Sequence, residues 1–169
     1  TKITLELGED AEWPPYKNGL NAMPAYIHSK KSAGIKCVGG SLNNPQWGLP
    51  YIIALILLFD PATGIFRCVM DGAQITNYRT GAQAAVAAKY IEDKKKIKFG
   101  LFGAGVQGRT QLMAFNEVFE IEEVHLYDIN SQAAKAFVEE MSKTVNTKFV
   151  IKEDPKDVMD DTDIIVSVT

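Results

Sequence analysis

The sequence predicts an α/β protein in two parts. A strand-rich first part precedes a second in which strands and helices alternate, as in a parallel sheet with helical crossovers. Three observations carry this reading. Apolar runs bounded by turn residues dominate the chain up to residue 91. A charge run at 92–96 (EDKKK) then separates two different patterns. Beyond it, short apolar segments alternate with stretches of helical periodicity, an order that gives a parallel sheet.

The elements follow in order. Residues 3–7 (ITLEL) alternate apolar and polar side chains, as a half-buried strand does. Residues 9–21 carry acids, Gly, Asn and two consecutive prolines, so a loop is expected. Residues 35–38 form a short strand, and 39–48 (GGSLNNPQWG) a second loop. Two apolar runs, 52–59 and 65–70, flank DPATG and predict a hairpin. A helix is expected over 77–91 with Thr76 as its N-cap, which puts Arg79 and Thr80 in the first turn. The second part reads as strand 97–102, helix 106–119, strand 124–127, helix 131–145, strand 149–151, a short helix at 155–159 and strand 164–168.

Composition bounds the function. The chain has 169 residues, 46% hydrophobic and 23% charged, with 18 Lys+Arg against 21 Asp+Glu. That apolar fraction suits a globular core and argues against disorder. A formal net charge of −3 gives no electrostatic reason to expect a nucleic-acid or membrane partner. The longest apolar run, 49–59, is shorter than the ~17–25 residues that span a bilayer. The first fifteen residues are polar and acidic, unlike a signal peptide. Two cysteines, Cys37 and Cys68, give neither a metal spacing nor a disulfide framework, and a reduced cytoplasmic setting is expected. The last stretch reads as a buried strand with nothing to cover it, so a fragment of a longer chain is expected.

The strongest local motif is Gly103-Ala104-Gly105-Val106-Gln107-Gly108. It fits G-x-G-x-x-G, directly after a strand and at the opening of a helix. Such glycines allow a tight turn and let the backbone approach a pyrophosphate at the helix N-terminus. The next strand ends at Asp128, 128 − 108 = 20 residues past the last glycine. An acid there accepts from a ribose 2′-hydroxyl and repels a 2′-phosphate, which favours NAD over NADP. Asp128 can equally serve the turn DINS. Arg109 is read as a solvated helix residue.

In the first part, Lys36 interrupts an apolar strand (GIKCV) and either snorkels outward or faces a polar site. Arg79 near a helix start is an electrostatic misfit. With the helix N–H groups it makes an anion pocket, since a guanidinium holds a carboxylate bidentately. Pairing with a surface acid is the alternative. His125, in EVHLYD, is expected to be structural.

The segments GIKCV (34–38), Asn43 with Gly48-Leu49-Pro50, LLFDPATG (57–64), VMDGAQITNYRT (69–80) and GAGVQ (103–107) together resemble the ornithine cyclodeaminase/mu-crystallin family. The resemblance spans roughly residues 23–169. It implies a partial substrate-binding and dimerisation domain at 1–91 and the first half of a Rossmann dinucleotide-binding domain, a doubly wound parallel sheet, at 92–169. It implies an NAD-dependent oxidoreductase or deaminase that acts at the α-carbon of a small amino acid through an imine. Ornithine cyclodeaminases are lyases of this kind. Amino acid dehydrogenases and ketimine reductases are oxidoreductases of the same family. A homodimer and an amino-acid or cyclic-imine substrate are implied with it.

Carried over by position, Lys36 contacts the substrate carboxylate and takes part in proton transfer, and Arg79 binds that carboxylate. Thr80, Gly103, Ala104, Gly105, Val106, Gln107 and Gly108 lie along the cofactor phosphates. Asp128 matches the acid of NAD-preferring members. Val168 and Thr169 pass near the adenosine half. No metal is implied. Tyr51 stands where members often carry threonine. An upstream arginine, a catalytic downstream aspartate and the second half of the Rossmann domain have no counterpart in this chain, which is expected to be inactive by itself. The alternative is a mu-crystallin-like, non-catalytic binder; the presence of Lys36, Arg79 and Asp128 together favours the enzyme.

Overall fold

The computed structural model describes residues 2–6, 19–41 and 43–168. The predicted strand end at Leu7, the loop at 9–18 with Trp13, and Thr169 lie outside these residues. The chain forms two compact units, Thr1–Thr76 and Asn77–Thr169. The division therefore falls before the boundary expected after residue 91. The physical reason is the helix at 73–89, whose Ala85 is buried in one core with Ile97, Phe99 and Leu112.

The first unit is an antiparallel sheet in the order β1-β2-β3-β4-β5. Its strands are β1 (Ile3–Glu6), β2 (Gly19–Ile27), β3 (Ser32–Gly40), β4 (Ile52–Phe59) and β5 (Phe66–Asp71). β4 and its hairpin stand where the sequence puts them. β2 starts inside the predicted loop, because pairing with β1 and β3 overrides the local signal of Asn21. Pro24 lies past the last β1 partner, Ala22, where β2 is an edge and tolerates proline. β3 outruns its prediction at both ends, and Gly40 pairs with Ile52. The predicted loop after it contains a 3-10 turn, Asn44–Trp47.

Strand alternation gives this sheet two faces. Lys36, Val38, Ala54 and Ile56 share one of them. The register puts Ile3, Leu20, Ile53, Leu55 and Val69 on the other. There Ile53, Leu55 and Val69 are 48%, 45% and 61% exposed, an apolar surface of the kind that marks association.

The chain turns from β5 straight into helix α1 (Ala73–Lys89). The Asp71 carboxylate accepts the Ala73 amide at 3.0 Å, so the helix begins one turn before the predicted start. Thr76 is thus not an N-cap. Its hydroxyl donates to the Gly72 carbonyl at 2.7 Å, inside the helix.

The second unit is a parallel sheet in the order β8-β7-β6-β9. Its strands are β6 (Lys96–Phe102), β7 (Glu120–Tyr127), β8 (Lys148–Ile151) and β9 (Ile164–Ser167). Helices α2 (Val106–Asn116) and α3 (Ser131–Met141) supply Leu112, Phe115 and Phe137 to the core against Phe99, Leu101, Val124 and Leu126. The short helix expected at 155–159 is a 3-10 turn, Pro155–Val158. His125 is buried in β7 with Nε2 3.0 Å from Glu123, in keeping with a structural role.

Charged contacts tie the start of β9 to β6. Asp163 pairs with Lys94 and accepts the Lys98 amide at 2.7 Å. The Lys94 ammonium, then the Lys98 amide, hold its carboxyl below the usual range. A depressed carboxyl contributes stability that is present above the ordinary carboxylate range and lost as pH falls through the depressed value. Asp163→Asn should therefore lower the urea midpoint at neutral pH and flatten its decline toward about pH 2. An unchanged acid profile would remove Asp163 from that role.

Candidate functional site

Strand order reverses between β6 and β9, so the ends of these two strands flank the crevice where open α/β sheets take ligands. The glycine loop leaves β6 there, and the Val168 amide bonds the Phe102 carbonyl at 2.9 Å. The structure thus places Gly103–Gly108 and Val168 at the switch point.

The loop is tightly determined. Gly103 has φ +105°, the left-handed side that favours glycine, and its amide donates to the Tyr127 carbonyl at 2.9 Å. A Cβ on Gly108 would lie 2.2 Å from the Gly103 carbonyl oxygen, so α2 can start this close to β6 only with glycine. Gly105 differs. Its backbone is ordinary (φ −80°, ψ −168°) and an added Cβ would meet nothing within 4 Å. Nothing in the fold itself requires glycine at that position. The first N–H groups of α2 beside it have no intrahelical acceptor and are available to an anion.

Asp128 serves the turn reading and also ties the turn to the glycine loop. Oδ1 accepts the Asn130 amide at 2.8 Å within the turn, and Oδ2 accepts the Ala104 amide of the glycine loop at 2.7 Å. Capping of α3 falls instead to Asn130, which accepts from Gln132 and Ala133. Arg109 is not simply solvated. Its guanidinium donates to the Ala104 and Gly105 carbonyls at 2.5 and 3.1 Å and to Glu140 at 2.7 Å, and lies 5.3 Å from the centre of the Phe137 ring. Gln107 donates to Asn77 at 3.0 Å, while its Oε1 is buried without a partner.

Helix α1 carries two adjacent stripes. Asn77, Gly81, Ala84, Ala85 and Ala88 form a small-residue stripe that packs on the second unit; a Cβ on Gly81 would lie 2.4 Å from the Thr110 carbonyl oxygen. Thr76, Arg79, Thr80 and Gln83 form the polar stripe beside it. Arg79 is exposed and lies in the second turn, not the first, because the helix starts early. Its guanidinium donates to Gln83 at 2.5 Å and Thr80 at 3.1 Å. The structure thus joins Arg79 to Thr80. In the first unit, Lys36 Nζ lies 3.4 Å from Thr76 Oγ1, a partner that the sequence reading, with Thr76 as a cap, did not anticipate. No cluster among the described residues could hold a metal ion, and no helix there is long and apolar enough to cross a membrane.

A half of a doubly wound sheet with a phosphate-type glycine loop, preceded by an antiparallel sheet, defines a class of nucleotide-binding α/β proteins. The model of the ornithine cyclodeaminase/mu-crystallin family matches residues 12–169, and the chain belongs to that family. It is 44% identical over 122 residues to an alanine dehydrogenase of Archaeoglobus fulgidus, covering 72% of this chain and 37% of that one. Thermococcus litoralis Δ1-pyrroline-2-carboxylate reductase, solved in complex with NADH and L-proline, superimposes with TM-score 0.89 at 37% identity, over 99% of this chain and 50% of its own. An archaeal alanine dehydrogenase dimer with bound NAD gives TM-score 0.87 at 35% identity, over 100% and 49%. The chain therefore spans half or less of the length of these proteins.

The second and third glycines of the phosphate motif separate fold from ligand. Gly108→Ala forces α2 away from β6 and should cost about 1–3 kcal/mol in denaturant unfolding. Gly105→Ala should stay within about 0.5 kcal/mol of the parent. Equal losses would mean that both glycines serve the fold.

Proposed function

We propose that the intact protein is an NAD-dependent oxidoreductase acting at the α-carbon of a small amino acid, or on the corresponding cyclic imine. What supports this most is the match over 99% of the chain to a reductase holding NADH and L-proline. The glycine loop supports it independently, since Gly105 leaves open space beside unpaired helix N–H groups.

When bound, the nicotinamide supplies the hydride chemistry. The loop Gly103–Gly108 holds the pyrophosphate, and Asp128 the adenosine ribose. Val168 passes the adenosine half, and Thr80 reaches toward the phosphates. Arg79 binds the substrate carboxylate; its contacts with Gln83 and Thr80 fix the guanidinium and leave it exposed. Lys36 binds the same carboxylate and holds or moves a proton at Nζ. Substrates with a side-chain amine close a ring and release ammonia, the ornithine cyclodeaminase-like lyase outcome. The first unit serves as the substrate and dimerisation domain, and the second as the first half of the dinucleotide domain.

The expected partner is a second copy of the chain. The exposed apolar face around Ile53, Leu55 and Val69 supports this, as does the dimeric neighbour. Sedimentation of the intact protein should give twice the chain mass, and Leu55→Asp should halve it. A monomeric parent would defeat the dimer reading. A cytoplasmic location fits a metabolic enzyme of this kind.

Turnover is tested with NAD and a panel of amino acids, followed by product analysis for keto acid, cyclic imine, proline and ammonia. Arg79→Ala should raise KM for the amino acid about tenfold to a hundredfold, the worth of one charge-assisted contact. A KM left unchanged with kcat intact would refute the carboxylate role. Gly105→Ala should weaken NADH binding despite its near-parental stability. Binding of NADH without turnover of any substrate would point instead to the mu-crystallin-like binder.

A further inference from the structure

We propose that Arg109 is a positioning residue that aims the Gly105 and Val106 amides at the dinucleotide pyrophosphate by holding the carbonyls on the opposite side of the same peptide planes. The inference rests on the NAD-binding reading above.

Every peptide bond among the described residues is trans. A trans peptide is planar with its C=O and N–H pointing in opposite directions. The Ala104 carbonyl belongs to the plane that carries the Gly105 N–H, and the Gly105 carbonyl to the plane that carries the Val106 N–H. Both carbonyls accept from one guanidinium nitrogen, at 2.5 and 3.1 Å. Fixing two oxygens on one side fixes two N–H groups on the other. These are the groups that a helix leaves without an intrahelical acceptor.

The brace is itself anchored. Arg109 Nε donates to Glu140 Oε2 at 2.7 Å, and the guanidinium packs on Phe137, a fully buried residue of α3. An arginine committed to two carbonyls and a carboxylate has few donors left for a phosphate. Its effect on the ligand therefore passes through the backbone. The planar guanidinium serves the Glu140 carboxylate through Nε and both carbonyls through one Nη at once, where an ammonium would act as a single point charge.

The test compares ligands with and without a pyrophosphate on the intact protein. Arg109→Met keeps the stem over Phe137 and removes every donor. NADH binding is read by fluorescence titration, with adenosine as control. The NADH Kd should rise about tenfold or more while the adenosine Kd holds. Arg109→Lys should recover part of the loss, and Glu140→Gln, which frees the arginine without deleting it, should lose less in the same direction. An unchanged NADH Kd in Arg109→Met overturns the proposal. So does an equal loss of NADH and adenosine, which means general damage.

A second readout separates the brace from the cofactor reading. Inorganic pyrophosphate should shift the amide resonances of Gly105 and Val106 in the parent and not in Arg109→Met. Equal shifts overturn the brace. A parent that fails to bind NADH at all defeats the cofactor reading, and the pyrophosphate shifts then decide the orientation of the amides by themselves.

Discussion

The second unit depends on how closely the start of α2 approaches the end of β6. With a Cβ on Gly108 only 2.2 Å from the Gly103 oxygen, no other residue fits without moving one of the two elements. The approach places the first turn of α2 at the end of the sheet, where strand order reverses. The loop between them is latched at both borders. Gly103 bonds the end of β7 and Ala104 bonds Asp128 just beyond it. Three residues of loop thus inherit their conformation from two strands and a helix. A site for a charged group needs that rigidity, because donors that must first reorganise lose most of their electrostatic advantage.

Helix α1 shows a similar economy in its sequence. Its hydrophobicity is low, and burial comes from small residues. Gly81 and Ala85 let it lie close to neighbours of the second unit, with Gly81 against the Thr110 carbonyl. Close approach of backbones leaves the adjacent stripe free for polar work, and Thr76, Arg79, Thr80 and Gln83 occupy it. A helix that buried large side chains would stand farther off. Stripe and packing are thus two consequences of one choice of residue sizes.

Much of this was legible in the sequence because it rests on local signals. β4, its hairpin, the alternation after residue 96 and the glycine loop with Asp128 each carry their own period or turn chemistry. The start of β2 was not legible: the residues up to Asn21 read as a loop, and only pairing with β1 and β3 makes them a strand. The start of α1 was missed for a different reason. Thr76 resembles a cap, yet Asp71 accepts the first helical amide and moves the start to Ala73. That shift also removes the electrostatic misfit read into Arg79, which lies a turn deeper. Arg109 was read as solvated because its partners, Glu140 and Phe137, come from another helix and no spacing announces them.

Ala104 shows how the loop reconciles burial with polarity. It is almost fully buried, so both its backbone groups need partners. The N–H finds a carboxylate, Asp128, and the C=O a guanidinium, Arg109. Groups of opposite charge thus satisfy the two backbone groups of one buried residue. This bears on Asp128 as a ligand residue. Its two oxygens each accept one amide, from Asn130 and from Ala104. A carboxylate offers about four lone-pair sites, so roughly two remain for hydroxyl donors. Asp128 therefore holds the turn and the loop at once and keeps acceptor capacity beyond both.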